Sequence, residues 1–160
     1  MYLYTAEKLK ELGYNVIALD FINFLKSNYY NYLDLVINAV ENDDIPLAEN
    51  LVNDIVNVLV EKNDKTEPIW VNGEMSVIKT AIMAVVLENK GRREYQTLTN
   101  AYYFVAEMFK TADDGEMLID KYMKNKRADD PIKKFFAVAS TAPSKTRGSF
   151  VAAALSTLQM

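Results

Sequence analysis

The chain has 160 residues, of which 50 % are hydrophobic and 25 % are charged, and its formal net charge is −4 at pH 7. This length suits one globular domain that buries a core of its own. Cysteine and histidine are both absent, which excludes disulfides, thiolate zinc sites and serine–histidine triads. No apolar run approaches about 20 residues and no leader of basic then apolar residues opens the chain, so we expect no membrane span, no signal peptide and a cytoplasmic setting.

The first 23 residues have the pattern of half an α/β unit. Thr5 is a suitable cap for a short helix that Gly13 would end. Residues 14–21 are apolar and partly β-branched, which predicts one buried strand that closes near Asp20. Because one strand cannot form a sheet, we expect this segment to be a piece of a larger α/β domain.

From residue 31 onward the pattern becomes helical. Apolar residues recur every three or four positions, and short polar or glycine-containing stretches separate the segments. The predicted helix starts are Asp34, Asp43 or Asp44 with Pro46, Asn72 after a turn over 63–68, Thr97 or Thr99, a capping box of Asp113 with Glu116, Pro131, and Ser144. We therefore predict an all-α fold, a compact bundle of six or seven helices over 31–160, joined to a helix–strand remnant over 1–30.

Motifs for phosphate or metal chemistry are weak in this sequence. A P-loop requires GxxxxGK[ST], and the five glycines lie too far apart to form one. The acidic residues from Glu41 to Asp54 could suggest a divalent-metal site, but their spacing fits no calcium loop, and we expect a solvated helix start there. Asp20 could reach a nucleotide or magnesium ion beyond a strand end, although a turn residue is the expected role.

The segment from Asp120 to Arg147 contains eight Lys and Arg residues against three Asp, a local excess of five positive charges. Such a segment can attract phosphates or an acidic partner, or it can be a solvated face that keeps the domain soluble, and both interpretations stay open. The candidate contacts for DNA or a partner are Lys124, Lys126, Arg127, Lys133, Lys134, Lys145 and Arg147. Tyrosines and Trp70 could stack on bases, but helical spacing favours packing for most aromatic residues.

Three stretches occur in a recognisable order. The first is 13–21 (GYNVIALDF) followed by 27–31 (SNYYN), the second is 70–74 (WVNGE), and the third is 144–150 (SKTRGSF). Together they resemble type IV secretion coupling proteins of the branch found on Gram-positive conjugative elements. The resemblance covers essentially the whole chain, and it departs from the family pattern at Phe24 and Tyr32, where that family commonly has proline.

This resemblance implies a membrane-anchored, hexameric, RecA-like ATPase with an inserted all-helical domain. Residues 1–30 would be a fragment of the nucleotide-binding domain, and 31–160 the inserted domain. The inserted domain is implied to dock DNA, a relaxase or an accessory DNA-processing protein at the cytoplasmic mouth of the ring. No catalysis, cofactor, metal or membrane contact is expected of this chain, since the Walker A and Walker B motifs lie outside it and the parent protein would bind ATP and magnesium.

Two alternatives remain beside this interpretation. The domain could be a protein-interaction module that never touches nucleic acid, in which case the acidic stretch over 41–54 would matter more than the basic segment. It could also be an unrelated small helical enzyme that uses carboxylates. The lack of histidine and cysteine makes that enzyme a poor candidate, and paired carboxylates in a deep pocket would be its signature.

Overall fold

The computed structural model describes residues 2–18, 30–61 and 67–159. The chain divides into two compact units, Met1–Asn31 and Tyr32–Met160. The assignment of the first unit to a nucleotide-binding domain stays a prediction.

The first unit contains helix α1 (Tyr2–Glu11), which begins three residues before the predicted cap Thr5. The helix ends at Glu11, and Gly13 follows it as predicted. Its φ of +85° is a left-handed conformation that glycine adopts without strain. Residues 14–18 form no strand, and a strand requires a neighbour to which its backbone can bond. The rest of the predicted strand, with Asp20, lies outside the described residues, as does Phe24.

The second unit is a helical bundle. Its helices are α2 (Asp34–Glu41), α3 (Ile45–Leu59), α4 (Pro68–Glu88), α5 (Leu98–Met108), α6 (Leu118–Lys124), α7 (Pro131–Thr141) and α8 (Ser144–Leu158), with a 3-10 turn at Arg93–Tyr95. These seven α-helices, counted over the described residues, confirm the predicted all-α class.

Helix α4 is the centre of the bundle. It packs against α2, α3, α5, α7 and α8, and twelve of its residues between Gly73 and Val86 are buried. An apolar surface on every side is what a core helix requires. With 21 residues, α4 is also long and apolar enough to cross a membrane by length and composition, which corrects the expectation that no segment is. In this structure 67 % of its most apolar window is buried inside the protein.

Four predicted helix starts are confirmed. Asp34 is the first residue of α2. The Asp44 carboxylate accepts a hydrogen bond from the Leu47 amide at 3.1 Å and caps α3. The Thr97 hydroxyl accepts one from the Asn100 amide at 3.2 Å and caps α5. Pro131 is the first residue of α7, where its missing N–H costs nothing.

Two predicted caps lie inside helices instead. Helix α4 begins at Pro68, four residues before Asn72, because proline is pre-organised for the first helical position. Ser144 is the first residue of α8, which follows Pro143 and has no side-chain cap. Asn72 lies one turn after the helix start and Ser144 one position after the cap. Neither side chain can therefore accept a hydrogen bond from the free amides of the first turn.

The predicted capping box at Asp113 is wrong. Helix α6 begins only at Leu118, and the residues before it form a tight turn closed by an antiparallel bridge between Thr111 and Met117. Gly115 has a φ of +83° in this turn, a conformation that ends helical propagation and favours glycine. The glycine therefore overrides the capping pattern.

Candidate functional site

Helix α7 is fixed on the core helix α4 by a buried serine. The Ser76 hydroxyl donates to the Phe135 carbonyl at 2.5 Å and accepts from the Ala139 amide at 3.2 Å. Because Ala139 is fully buried, this contact fixes the rotation of α7. Lys133 and Ala137 then share the face of α7 that lies beside α6.

An open groove of about 380 Å³ lies between α6 and α7. Most of the surface that lines it belongs to apolar atoms. The lining residues are Asp120, Met123 and Lys124 from α6 and Lys133, Phe136, Ala137 and Ser140 from α7. We call it the α6–α7 groove. Of the seven candidate contact residues, it brings together two, Lys124 and Lys133.

Arg147 lies beneath one wall of this groove, with only 11 % of its side chain exposed. Its Nη1 donates to both Asp120 carboxylate oxygens, at 2.8 and 2.9 Å, and its Nη2 donates to the Ser140 carbonyl at 3.1 Å. The guanidinium also lies 5.6 Å from the Phe136 ring centroid. Arg147 therefore joins the start of α8 to α6 and α7. Its predicted contact with a partner stays a prediction, and its burial weighs against it.

Lys126 belongs to a cluster at the ends of α4 and α6. It forms an ion pair with Glu88, and the Tyr122 hydroxyl donates to the same carboxylate at 2.9 Å. Partial burial acts to raise the pKa of Glu88, but the hydrogen bonds from Lys126 and Tyr122 outweigh it and lower that pKa. Burial first, and then Glu88, raise the pKa of Tyr122. The cluster ties two helix ends together and leaves 19 % of the Lys126 side chain exposed.

The other basic residues of the segment are also mostly paired. The pairs are Lys121 with Asp114 at 2.6 Å, Lys124 with Glu116 at 2.5 Å, Arg127 with Asp129 at 3.0 Å, and Lys134 with Glu49. The hydrogen bond to Glu116 raises the pKa of Lys124, and the one to Asp129 raises that of Arg127. These side chains are largely exposed, so their pairs add little stability.

Pairing changes the electrostatic character that the sequence suggests. Six of the eight basic residues between 120 and 147 contact carboxylates, and four of those partners lie outside the segment: Glu49, Glu88, Asp114 and Glu116. They reduce the local excess of five positive charges to one. Within the described part of the chain, Lys133 and Lys145 have no carboxylate partner.

The acidic stretch over 41–54 has structural partners. Asp44 caps α3, Asp43 pairs with Lys90 at 2.6 Å, and Glu49 pairs with Lys134. In the described ranges, no group of three or more acidic side chains is placed to hold a metal ion. The α6–α7 groove contains one carboxylate, that of Asp120, and not the pair that an acid–base enzyme would need.

Two of the recognised stretches, 70–74 and 144–150, meet in the core. Gly73 faces Phe150 so closely that a Cβ at this position would overlap the ring. Trp70 packs edge-to-face on the same ring, with 5.8 Å between centroids. The order of the stretches in the sequence gave no sign of this contact, because α4 and α8 are far apart along the chain. The contact of Gly73 and Trp70 with Phe150 thus positions α8 on the core helix.

A comparison with protein families finds one whose model, described as type IV secretory system conjugative DNA transfer, matches residues 1–160. The match covers both units, and it confirms the resemblance to type IV secretion coupling proteins. Comparisons with curated proteins and with solved structures gave no match.

Proposed function

This chain belongs to the type IV secretory system conjugative DNA transfer family, and we propose that its helical unit is a cargo-docking domain of a coupling protein. The cargo is a relaxase or an accessory DNA-processing protein, delivered with its DNA. The domain offers a rigid helical scaffold whose groove and helix ends meet the partner. It sits on the cytoplasmic face of membrane-associated secretion machinery without touching the membrane, in a hexameric, membrane-anchored parent protein.

The observation that carries this proposal is the pairing of the basic segment with carboxylates from other helices. A surface that binds nucleic acid through phosphates needs cations in excess, since counterion release supplies much of the affinity. Here most cations already contact carboxylates, so the surface is mixed in charge. Mixed charge is typical of the polar rim of a protein–protein interface. This favours protein cargo over free DNA.

Direct DNA docking is the second candidate, and one observation favours it. Lys133 and Lys145 have no carboxylate partner among the described side chains, and Lys145 is exposed near the start of α8. Exposed ion pairs are weak, so phosphates could also replace some of the carboxylates around them.

A capture experiment separates protein cargo from DNA. The full chain, immobilised on resin, is offered the relaxase of the same element with and without its DNA substrate. We expect capture without DNA, reduced by Lys133→Glu and unchanged by Lys110→Glu, whose lysine pairs with Glu107 on its own helix end. Capture that requires DNA, or that Lys133→Glu leaves unchanged, would contradict docking of protein cargo at this surface.

A salt titration tests DNA docking by itself. The probe is a fluorescein-labelled single-stranded oligonucleotide, and its anisotropy is followed at increasing salt. For each phosphate contact with this single strand, the slope of log affinity against log salt should steepen by about 0.7. We expect binding too weak to give a measurable slope. A steep slope that falls when Lys133 and Lys145 are reversed in charge would establish direct DNA docking instead.

We also propose that this chain catalyses no reaction. The proposal rests on its lack of a P-loop sequence and of histidine and cysteine, and it assigns ATP and magnesium to the ATPase domain of the parent protein. Phosphate release from ATP with magnesium should match the buffer blank. A protein-dependent rate that survives repurification would refute it.

A further inference from the structure

The α6–α7 groove joins an apolar floor to a basic rim. Met123, Phe136 and Ala137 supply apolar surface, and Lys124 and Lys133 flank them on opposite helices. The volume of about 380 Å³ lies within the range of natural ligand pockets. We propose that this groove binds a short acidic segment of a partner protein, with an apolar side chain on the floor and carboxylates at the two lysines. This inference rests on the proposed docking function and specifies the kind of segment that the partner would present to it.

The charges of the groove fit carboxylates. Asp120 is the acidic residue of its lining, and Arg147 neutralises it at 2.8 and 2.9 Å from below, so the two lysines set the net charge. The Lys133 ammonium donates to the Lys126 carbonyl at 3.4 Å, which is too long for a strong hydrogen bond. It can therefore turn toward an incoming carboxylate.

Lys124 is also available for exchange. Its pair with Glu116 is at the surface, with 68 % of the lysine side chain exposed. Such pairs contribute little and re-form readily with another carboxylate. A partner carboxylate that an apolar contact holds nearby also has a high effective concentration, and it can therefore compete with Glu116 for Lys124. The apolar floor and the lysines thus act together.

Nucleic acid fits the same groove poorly. A phosphate backbone would place continuous negative charge next to Glu116, whereas a peptide carries its carboxylates at separate positions. The floor of Met123, Phe136 and Ala137 presents no flat aromatic platform open on both sides for base stacking. An apolar peptide side chain buries this surface without that conflict.

The test uses the full chain and a labelled peptide. The probe is fluorescein-Gly-Ser-Glu-Leu-Asp-Phe-Glu-Gly, and binding is measured by anisotropy. One control peptide has Lys in place of its Glu and Asp residues, and another has Ser in place of Leu and Phe. We expect the probe to bind and each control peptide to bind at least about tenfold more weakly, since apolar burial and charge both contribute.

Protein variants then locate the binding site. Lys133→Glu should weaken the probe about fivefold or more. Ala137→Phe fills the groove from an exposed helix position and should abolish binding without any change of charge. Lys110→Glu, outside the groove, is the charge-matched control and should leave binding within about twofold. Circular dichroism establishes that each variant is folded.

Several results would overturn the inference. They are no binding of the probe at about 1 mM, which corresponds to only about 4 kcal/mol, equal binding of the lysine peptide, and unchanged binding in the folded Ala137→Phe variant. A single-stranded oligonucleotide that displaces the probe would assign the groove to nucleic acid. Capture of the relaxase without binding of the probe would refute this inference but not the docking function. Binding of the probe without capture of any cargo would refute the docking function and leave the groove as a peptide site.

Discussion

The close approach of Gly73 to Phe150 predicts different outcomes for the same substitution at two glycines. Gly73 on α4 and Gly148 on α8 both lie inside helices, where alanine is favoured over glycine by about 1 kcal/mol. A Cβ at Gly73 would overlap the Phe150 ring, whereas a Cβ at Gly148 would meet nothing within 4 Å. The difference between the two variants therefore isolates the cost of packing from the gain in helix propensity.

The magnitude follows from the rigidity of the site. Phe150 is 1 % exposed and is also held by the edge of Trp70, so the ring cannot move away without disturbing α4 or α8. Overpacking of this kind costs about 1–3 kcal/mol. We expect Gly148→Ala to raise the free energy of unfolding, and Gly73→Ala to fall below Gly148→Ala by about 1–3 kcal/mol. For a chain of this size, each kcal/mol shifts the Tm by about 2–4 °C.

Urea unfolding measured by circular dichroism and by the fluorescence of Trp70, the one tryptophan, gives both values. In a Phe150→Leu background, the cost of Gly73→Ala should shrink, because the smaller side chain leaves room for the Cβ. If Gly73→Ala proves as stable as Gly148→Ala, the close approach of α4 to α8 is absent from the folded protein, and the reasoning fails.

Three further predictions concern charges and caps. Arg147→Met should destabilise the protein by about 2–4 kcal/mol in urea unfolding, because Asp120 loses its partner beside a buried site, and Arg147→Lys should recover part of the loss. Asp44→Ala should cost about 1 kcal/mol by removing the α3 cap, measured by the same unfolding assay. Glu88 has a lowered pKa in the folded protein, so its stabilisation is present above the unfolded pKa and is lost as the pH falls through the folded pKa. Glu88→Gln should therefore be less stable than the wild type near pH 7, by no more than about 1 kcal/mol for so exposed a pair, and equal to it once the pH has fallen below the folded pKa of Glu88. A difference that persists in acid would contradict this linkage.

Helix starts were predictable to within one or two residues where the candidate caps lie close together. Asp43 competed with Asp44, and Thr99 with Thr97, and the fold uses Asp44 and Thr97. Asn72 failed because Pro68 is an equally good start and lies earlier in the same run. Local chemistry therefore locates a helix start only as closely as its candidate residues are spaced.

The wrong prediction of a capping box at Asp113 shows a different limit of sequence-based prediction. The residues fit the capping pattern, but Gly115 takes a positive φ between them, which a helix cannot contain. Whether such a glycine continues a helix or turns the chain depends on its surroundings, here on the bridge between Thr111 and Met117. A single sequence does not reveal that bridge.

The groove could be predicted only in part. Lys124 and Lys133 were among the candidates because they lie in a basic segment, but the sequence did not mark Met123, Phe136 or Ala137 as the lining of a groove. The groove forms because Ser76 sets the rotation of α7 from a distance of 59 residues along the chain. Contacts of this range depend on packing, which periodicity alone does not specify.

Charge is where the sequence and the fold differ most, and the difference has a functional consequence. Lys134 meets Glu49 and Lys126 meets Glu88 because α7 and α6 fold back against α3 and α4, over separations of 85 and 38 residues. A strongly cationic stretch thus becomes a nearly balanced surface, and long-range attraction of nucleic acid falls accordingly. What remains distinctive is local: two lysines, one with no carboxylate partner among the described residues, at the rim of an apolar groove. Recognition at such a surface depends on the shape and sequence of a protein segment rather than on net charge.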